Sequence, residues 1–208
     1  MTITLYYAHQ SNASRIQASL EELGVAYEKV KIDIRAGEQK KPEFLALNPN
    51  GMVPTIVLDG TPMFESVAIQ IALGERYGVE KGVWPALGSP EHLKALTWLI
   101  WGQVTIGASM MRYMQNTADF IPKELHHAGQ AEVALKAMHS QLAILDAHLG
   151  AHPFLSGDRF TLADLDVASV LGWGLHMFKI DISAYPKLGA WLGVVSKRPG
   201  MIAAMAAT

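Results

Sequence analysis

The segment Asn48-Pro49-Asn50-Gly51-Met52-Val53-Pro54-Thr55-Ile56-Val57-Leu58 decides how the N-terminal part of the chain is interpreted. Asn50-Gly51 is typical of a tight turn because both residue types tolerate a positive φ. Thr55–Leu58 is rich in β-branched residues, which predicts a strand. A proline lacks the ladder donor and is tolerated mainly at a strand's first residue or edge. The pair Val53-Pro54 therefore predicts a backbone held out for something other than a neighbouring strand.

The elements around this segment alternate between strands and helices. Asp59-Gly60 predicts a hairpin turn between strands at residues 55–58 and 61–64, and Glu65-Ser66 opens a helix expected to reach residue 77. Upstream, the apolar patterns predict a strand at 3–7, a helix at 11–23, a strand at 27–32 and a short helix at 42–47. The predicted order of the N-terminal part is therefore βαβαββα.

Strand patterns stop after a linker rich in glycine and proline. Ser89 is a suitable N-cap for a long helix that we expect to reach about Gln115. Further helices are predicted at residues 131–149 and 185–196, with a short alanine-rich tail beyond them. The sequence thus predicts two domains: an α/β domain at 1–79, a linker at 80–88 and an all-helical domain at 89–208.

The segment Phe160-Thr161-Leu162-Ala163-Asp164-Leu165 is a local helix-start motif. Thr161 is placed as the N-cap and Asp164 as its N3 partner, which are the two positions of a capping box. Phe160 and Leu165 then occupy the positions of a hydrophobic staple. We interpret Asp164 as a buried capping carboxylate rather than a catalytic acid.

Composition excludes several classes of function. The formal net charge is −2 and no block of Lys or Arg occurs, which argues against a nucleic-acid or anionic-membrane surface. The absence of cysteine excludes a disulfide framework, a thiolate metal site and a protein thiol nucleophile, so any sulfur chemistry must come from a ligand. We expect no metal. The first residues lack a basic region followed by a long apolar segment, so the expected location is cytoplasmic.

Four separated motifs carry a family resemblance. They are Asn12-Ala13-Ser14-Arg15 leading into residues 20–28, residues 41–54, Glu65-Ser66-Val67-Ala68-Ile69, and Thr161-Leu162-Ala163-Asp164. In this order and at these separations, the chain resembles the glutathione transferases of the bacterial cytosolic type. The resemblance implies a thioredoxin-like N-terminal domain, an all-helical C-terminal domain and a homodimer. The order βαβαββα followed by helices alone agrees with it.

The resemblance also implies where glutathione would bind. In the family the proline that matches Pro54 is cis, so that Val53 would pair its main chain with the cysteinyl unit of glutathione. The helix N-terminus and the Ser66 hydroxyl suit the γ-glutamyl carboxylate, and Glu65 suits the γ-glutamyl ammonium. The alternative is that Glu65-Ser66 is only a helix start.

Activation of the thiol requires a hydrogen-bond donor near the sulfur. A free thiol has a pKa of about 8.5, and lowering it by two units takes about 2.7 kcal/mol. One hydrogen bond to a charged acceptor supplies roughly 1.5–3 kcal/mol. The loop after the first strand offers Ser11, Asn12 and Ser14. Ser11 is the first choice, because it matches the position of the reactive serine in serine-type relatives. Asn12 stands where a related class has cysteine and could donate through its amide, and Ser14 is interpreted as a residue of the first helical turn.

The glycine end of glutathione has no obvious partner. Where relatives often carry Lys or Gln, this chain has Met52, which cannot bind a carboxylate. Lys40 or Lys41 is a candidate substitute, although a surface charge is the commoner role of either. The alternatives are a lower affinity for glutathione or a different partner for the carboxylate.

The second substrate is expected over the thiol, between the domains. Its apolar contacts are predicted at Trp101, Met110, Met111 and Tyr113, with Trp173 and Phe178 as weaker candidates.

The expected function is the transfer of glutathione, as co-substrate, to a small hydrophobic electrophile. One alternative is a glutathione-dependent disulfide or peroxide reductase without a protein cysteine. Another is a non-catalytic binding or assembly module with the transferase fold, against which the intact Glu65-Ser66 argues.

Overall fold

The computed structural model describes residues 2–206 as two compact units. One unit comprises residues 2–87 together with residues 196–206, and the other comprises Gly88–Val195. Met1, Ala207 and Thr208, the outermost positions of the two predicted domains, lie outside the described residues.

The first unit has the predicted order of elements. It contains β1 (Ile3–Tyr7), α1 (Ala13–Leu23), β2 (Glu28–Lys31), α2 (Pro42–Leu45), β3 (Thr55–Leu58), β4 (Thr61–Phe64) and α3 (Ser66–Leu73). A 3₁₀ turn at Glu38–Lys40 precedes α2, and a π-helical turn at Gly74–Gly78 follows α3. The βαβαββα order is confirmed.

The four strands form one mixed sheet in the order β2-β1-β3-β4. β1 pairs in parallel with β2 and antiparallel with β3, and β3 pairs antiparallel with β4. Strand side chains alternate between the two faces of a sheet, and here Ile3 and Leu5 of β1 are buried. Ile56 of β3 and Ile16 of α1 are fully buried as well.

The last helix belongs to the first unit, whereas the sequence assigned residues 89–208 to one helical domain. α9 (Pro199–Ala206) packs on α1, where a Cβ on Gly200 would lie 2.2 Å from the carbonyl oxygen of Ala18. The Glu22 carboxylate accepts a hydrogen bond from the Gly200 amide at 3.1 Å and pairs with Arg198. The predicted alanine-rich tail is therefore a docked helix. Pro199 at its first position was an available helix-start signal.

The second unit is all-helical. Its helices are α4 (Pro90–Trp101), α5 (Ala108–Thr117), α6 (Ala128–Ala151), α7 (Leu162–Phe178) and α8 (Pro186–Val195). A π-helical segment at Gly102–Gly107 joins α4 to α5, so that the long helix predicted from residue 89 is present with a wider turn inside it. Ser89 is its N-cap, accepting a hydrogen bond from the His92 amide at 3.1 Å.

The capping box at the start of α7 is confirmed. The buried Asp164 carboxylate accepts hydrogen bonds from the Thr161 amide at 2.9 Å and the Leu155 amide at 2.8 Å. It also accepts from the Thr161 hydroxyl and from Trp191 Nε1, both at 3.0 Å. Burial raises the pKa of Asp164, and these hydrogen bonds act in the opposite direction. The Asp164 carboxylate therefore connects α7 to α8 and to the loop that precedes α7, which is a structural role.

Candidate functional site

The register of the strands brings three of the predicted motifs together at one edge of the sheet, the one where β1 and β4 end and β3 begins. Thr55, the first residue of β3, pairs with Tyr6 near the end of β1 and with Phe64 at the end of β4. The loop after β1, the residues before β3 and the start of α3 therefore share that edge. The sequence predicted these motifs separately, and strand pairing is what brings them together.

A buried asparagine holds the loop that leads into β3. Nδ2 of Asn48 donates hydrogen bonds to the Met52 carbonyl at 2.8 Å and to Thr55 Oγ1 at 3.1 Å. The Thr55 hydroxyl donates to the same carbonyl at 3.0 Å. Gly51 provides the positive φ of 59° that the turn requires. Sequence reasoning missed the role of Asn48, although an asparagine beside Pro-Asn-Gly is a usual turn residue.

Val53 presents an unused main chain at this edge. Its peptide bond to Pro54 is cis, as the resemblance implies. Within residues 2–206, neither the N–H nor the carbonyl of Val53 has a hydrogen-bond partner. One donor and one acceptor are thus available to an extended ligand.

The start of α3 is also open. Glu65 occupies the N-cap with φ 69° and ψ 112°, a strained conformation for any residue except glycine, and makes no side-chain cap. Ser66 is 7% exposed, and its hydroxyl has no hydrogen-bond partner in the part of the chain that the structure describes. The first intrahelical bond runs from the Ile69 amide to the Glu65 carbonyl at 3.0 Å. The preceding amides of the first turn are free of intrahelical partners and favour an anion.

The three candidate thiol donors all lie at the start of α1, but they differ in their present partners. The Ser11 hydroxyl donates to the Ala8 carbonyl at 2.7 Å and accepts from the Ala13 amide at 3.2 Å. Asn12 is exposed at the N-cap and makes no capping hydrogen bond. Ser14 is half-buried, and its amide donates to the Ser11 carbonyl at 3.0 Å. The hydroxyl proton of Ser11 is therefore already engaged in the turn.

The two lysines near Met52 face different partners. Lys40 Nζ donates to the Asn50 carbonyl at 3.2 Å, which places this ammonium on the loop that carries Met52. Lys41 Nζ instead pairs with Glu38 Oε1 at 3.1 Å. The main-chain hydrogen bond from Asp33, followed by the bond from Lys41, lowers the pKa of Glu38. Met52 itself is 66% exposed.

The residues predicted to contact the electrophile do not form one surface within the second unit. Met110 is a core residue, 1% exposed, and a Cβ on Gly174 would lie 2.6 Å from its sulfur. Met111 is 44% exposed. Trp101 packs edge-on against Trp98, with ring centroids 5.1 Å apart. The spacing of apolar residues in the sequence could not distinguish the buried Met110 from the exposed Met111, because both are apolar.

A different aromatic cluster forms around Tyr113. Its ring meets that of Phe178 edge-on, with centroids 5.2 Å apart. Phe178 meets Trp173 in the same way at 5.8 Å. The two weaker candidates thus lie beside Tyr113, whereas Trp101 lies in another cluster.

Residues 2–206 contain neither a membrane-spanning helix nor a cluster of metal ligands. No helix in this range is both long and apolar enough to cross a bilayer. In the same range, no three acidic or histidine side chains are grouped so that they could hold a metal ion.

Comparison with known proteins places two family models on the chain. The model described as glutathione S-transferase, N-terminal domain, matches residues 1–71. The model described as glutathione S-transferase, C-terminal domain, matches residues 128–193.

Curated relatives match over nearly the whole length. Glutathione S-transferase GstB of Escherichia coli (strain K12) is 29% identical over 203 residues, which cover 96% of this chain and 95% of the relative. The disulfide-bond oxidoreductase YfcG of the same strain is 28% identical over 207 residues, which cover 95% and 91%. A solved glutathione transferase homologue from Lodderomyces elongisporus, with two GSH per subunit, has a TM-score of 0.88 and 27% identity, covering 100% of this chain and 99% of that one.

Proposed function

Since the chain belongs to the glutathione transferase family, we propose that it binds glutathione, stabilises the thiolate and directs the sulfur at a small hydrophobic electrophile. The observation that carries this proposal is the sheet edge at Thr55, where strand register gathers an open main chain, an open helix start and a loop of donors. Glutathione is a peptide with two carboxylates, one ammonium and one thiol. Each of the three elements offers hydrogen-bonding groups that suit one part of glutathione.

The γ-glutamyl end is assigned to the start of α3. The free amides of the first turn and the positive end of the helix dipole favour a carboxylate, with the Ser66 hydroxyl as an added donor. The Glu65 carboxylate would pair with the ammonium. The cysteinyl unit would pair with the open N–H and carbonyl of Val53, in the manner of an added strand.

The thiol is assigned to the loop at the start of α1. Ser11 remains our first candidate by position, with Asn12 and Ser14 as alternatives. For Ser11 to donate to the sulfur, its proton must leave the Ala8 carbonyl, so the gain is smaller than that of a new hydrogen bond. The positive end of α1 adds up to about 1 kcal/mol in favour of the thiolate, whichever side chain donates.

The glycine carboxylate is assigned to Lys40 in preference to Lys41. Lys40 already contacts the loop that carries Met52, and Lys41 is paired with Glu38. We expect Lys40→Ala to weaken glutathione binding two- to fivefold, because the ammonium is exposed and its contribution is about 1 kcal/mol or less. Titration of a glutathione ester blocked at the glycine carboxylate should show no such loss. Lys41→Ala is the matched control and should leave both affinities unchanged.

The electrophile contacts are proposed at Tyr113 and Met111, with Phe178 and Trp173 added because they pack beside Tyr113. Trp101 packs against Trp98 in another cluster and is no longer assigned to this surface. Met110 is assigned to the core. Tyr113→Ala should raise the KM for an aromatic electrophile while leaving the glutathione affinity unchanged.

We also propose a homodimer in which α4 and the π-helical segment meet a second copy. Leu93, Ile100 and Val104 lie on this stretch with large exposed apolar side chains, Val104 being 67% exposed. Ile100 and Val104, together with Leu96, Thr97 and Trp101, line a shallow hollow of about 470 Å³. Val104→Glu should convert a dimer into a monomer in sedimentation velocity. A wild-type monomer would overturn the dimer but leave the glutathione site untouched.

The proposed function is tested by titrating the intact protein with glutathione in a calorimeter and then assaying it with a panel of aromatic electrophiles. Saturable binding together with turnover supports the transferase. Binding without turnover on any electrophile would favour a reductase, and absence of binding would favour an assembly module.

Reduction of disulfides is the second candidate, because a relative of 28% identity is described as a disulfide-bond oxidoreductase. With no protein cysteine, two glutathione molecules would supply the two electrons. The first thiolate would attack the substrate disulfide and release one thiol, and the second would then release the other thiol as glutathione disulfide forms. Assays with a small disulfide and glutathione distinguish this activity from conjugation.

A further inference from the structure

A buried side-chain hydrogen bond joins α1 to α3. Ser19 Oγ donates to Gln70 Oε1 at 2.9 Å, and it also lies 3.0 Å from the Arg15 carbonyl one turn earlier in α1. Both Ser19 and Gln70 are fully buried. The residues beside them in sequence, Leu20 and Ile69, are fully buried and apolar. The Ser19–Gln70 pair thus has buried apolar neighbours in both helices, with the buried Arg15 one turn earlier in α1.

This pair lies close to both helix starts that the proposed site uses. Ser19 is about 9 Å along the axis from Ala13, and Gln70 about 6 Å from Ser66, at 1.5 Å per residue. The start of α1 carries the candidate sulfur donors, and the start of α3 carries the γ-glutamyl contacts. The distance between the two starts therefore decides whether a ligand held at α3 brings its sulfur to α1.

We propose that Ser19 and Gln70 are positioning residues that fix the start of α1 relative to the start of α3, and thereby place the sulfur of glutathione against its donor. This inference rests on the proposed function. Ser19 and Gln70 touch no part of the ligand themselves and act through the two helices.

The physical reason is the difference between apolar and polar contacts. The hydrophobic effect depends on the apolar area buried and is not directional, so burial alone does not specify one register of two helices. A hydrogen bond in a buried site depends on distance and angle, and leaving its groups without partners is costly. The Ser19–Gln70 bond therefore selects one register of the two helices. Since a misplacement of 1 Å at a reacting group can cost a hundredfold in rate, a selected register is useful at this site.

The test uses two variants that remove the bond with little change in shape. Ser19→Ala removes the hydroxyl and introduces the best helix former, so a folded protein is expected. Gln70→Met keeps the length of the side chain without its acceptor. Each variant is titrated with glutathione by calorimetry, and the ionisation of the bound thiol is followed by its ultraviolet absorbance as a function of pH.

We expect the affinity for glutathione to change by less than threefold, because the contacts at α3 remain. The pKa of the bound thiol should rise by about 0.5–1 unit toward its free value, which is three- to tenfold less thiolate below that pKa. The double variant should show no larger shift than Gln70→Met alone, because Gln70→Met already removes the bond to Ser19.

Glu22→Gln is the matched control. It lies at the opposite end of α1 and weakens the contact with α9, so it should lower the melting temperature without moving the thiol pKa. A thiol pKa unchanged in Ser19→Ala and Gln70→Met, or moved no further than in Glu22→Gln, would overturn the positioning role while leaving glutathione binding intact. Failure of the wild-type protein to bind glutathione would instead remove the proposed function, and the positioning role with it.

Discussion

Two helix starts in this protein are built in opposite ways. At the start of α7, Thr161 and Asp164 satisfy each other's main-chain groups, and Asp164 takes two more donors from Leu155 and Trp191. At the start of α3, Glu65 makes no side-chain cap and adopts a strained backbone, and the Ser66 hydroxyl has no partner among residues 2–206.

The difference distinguishes a helix start that stabilises the fold from a helix start that binds a ligand. A helix start that only stabilises the fold closes its free amides with its own side chains, since each unmet buried group costs stability. A helix start that binds a ligand must leave those amides available until the ligand arrives. The strain at Glu65 fits the second case, because strained residues persist where the surroundings impose them and cluster at binding sites.

The largest effect is expected where the start of α7 is broken. Asp164→Ala leaves the Leu155 and Thr161 amides and Trp191 Nε1 in the interior without this acceptor, and the free energy of unfolding should fall by about 3–5 kcal/mol. Denaturant unfolding measures this loss. A decrease below about 1 kcal/mol would mean that the hydrogen bonds around Asp164 contribute little, and it would weaken the contrast between the two helix starts.

The next effect is expected at the start of α3. Ser66→Ala should weaken glutathione binding about tenfold, or about 1.4 kcal/mol, because a donor to a carboxylate is lost. Its stability should change by less than about 0.5 kcal/mol. Thr161→Ala, the matched change at α7, should do the reverse: stability falls by about 1 kcal/mol and glutathione affinity stays the same. Similar behaviour of the two variants would remove the distinction.

A smaller effect is expected at Glu65, where strain and ligand binding oppose each other. Glu65→Gly relieves the positive φ and should raise the free energy of unfolding by up to about 1 kcal/mol. The same change removes the partner of the γ-glutamyl ammonium, so the affinity for glutathione should fall. Thermal unfolding and calorimetry on one preparation check both directions. A variant less stable than the wild type would show that the Glu65 conformation is not strained.

The last effect is confined to the thiol and is expected when its single side-chain donor is replaced. Replacing the side chain that faces the sulfur, by Ser11→Ala, Asn12→Ala or Ser14→Ala, should raise the pKa of the bound thiol by about 1 unit, since one charged hydrogen bond is lost. The thiolate is the reactive form and is lost as pH falls through this pKa. The acidic limb of the rate profile should therefore move to higher pH in one variant of the three. Three unchanged profiles would leave activation to the helix start alone.

Local patterns predicted most of the fold because they are complete within a few residues. The hairpin at Asp59-Gly60, the N-cap at Ser89 and the capping box at Thr161 each depend on neighbours in sequence. The docking of α9 depends on Glu22 and Ala18, which lie far away along the chain, so the segment was predicted only as a tail.

The candidate site was predictable as a set of residues, and less so as a set of roles. The motifs at Val53 and Ser66 were identified, and the register of β3 shows why they meet. Three features of the site were not predictable: the hydrogen bond from Ser11 to Ala8, the hydrogen bonds of Asn48 and the burial of Met110. The sequence shows the chemical type of a side chain, but it does not show which distant residue the side chain will contact.

The central claim is that the open main chain at Val53 and the open start of α3 bind glutathione, while the closed start of α7 does not. Amide chemical shifts recorded during a glutathione titration test it most directly. We predict that the amides of Val53 and of Ser66, Val67 and Ala68 shift and saturate together, and that those of Thr161 and Asp164 stay fixed. Saturating binding that leaves the Val53 and Ser66 amides unmoved would contradict this account.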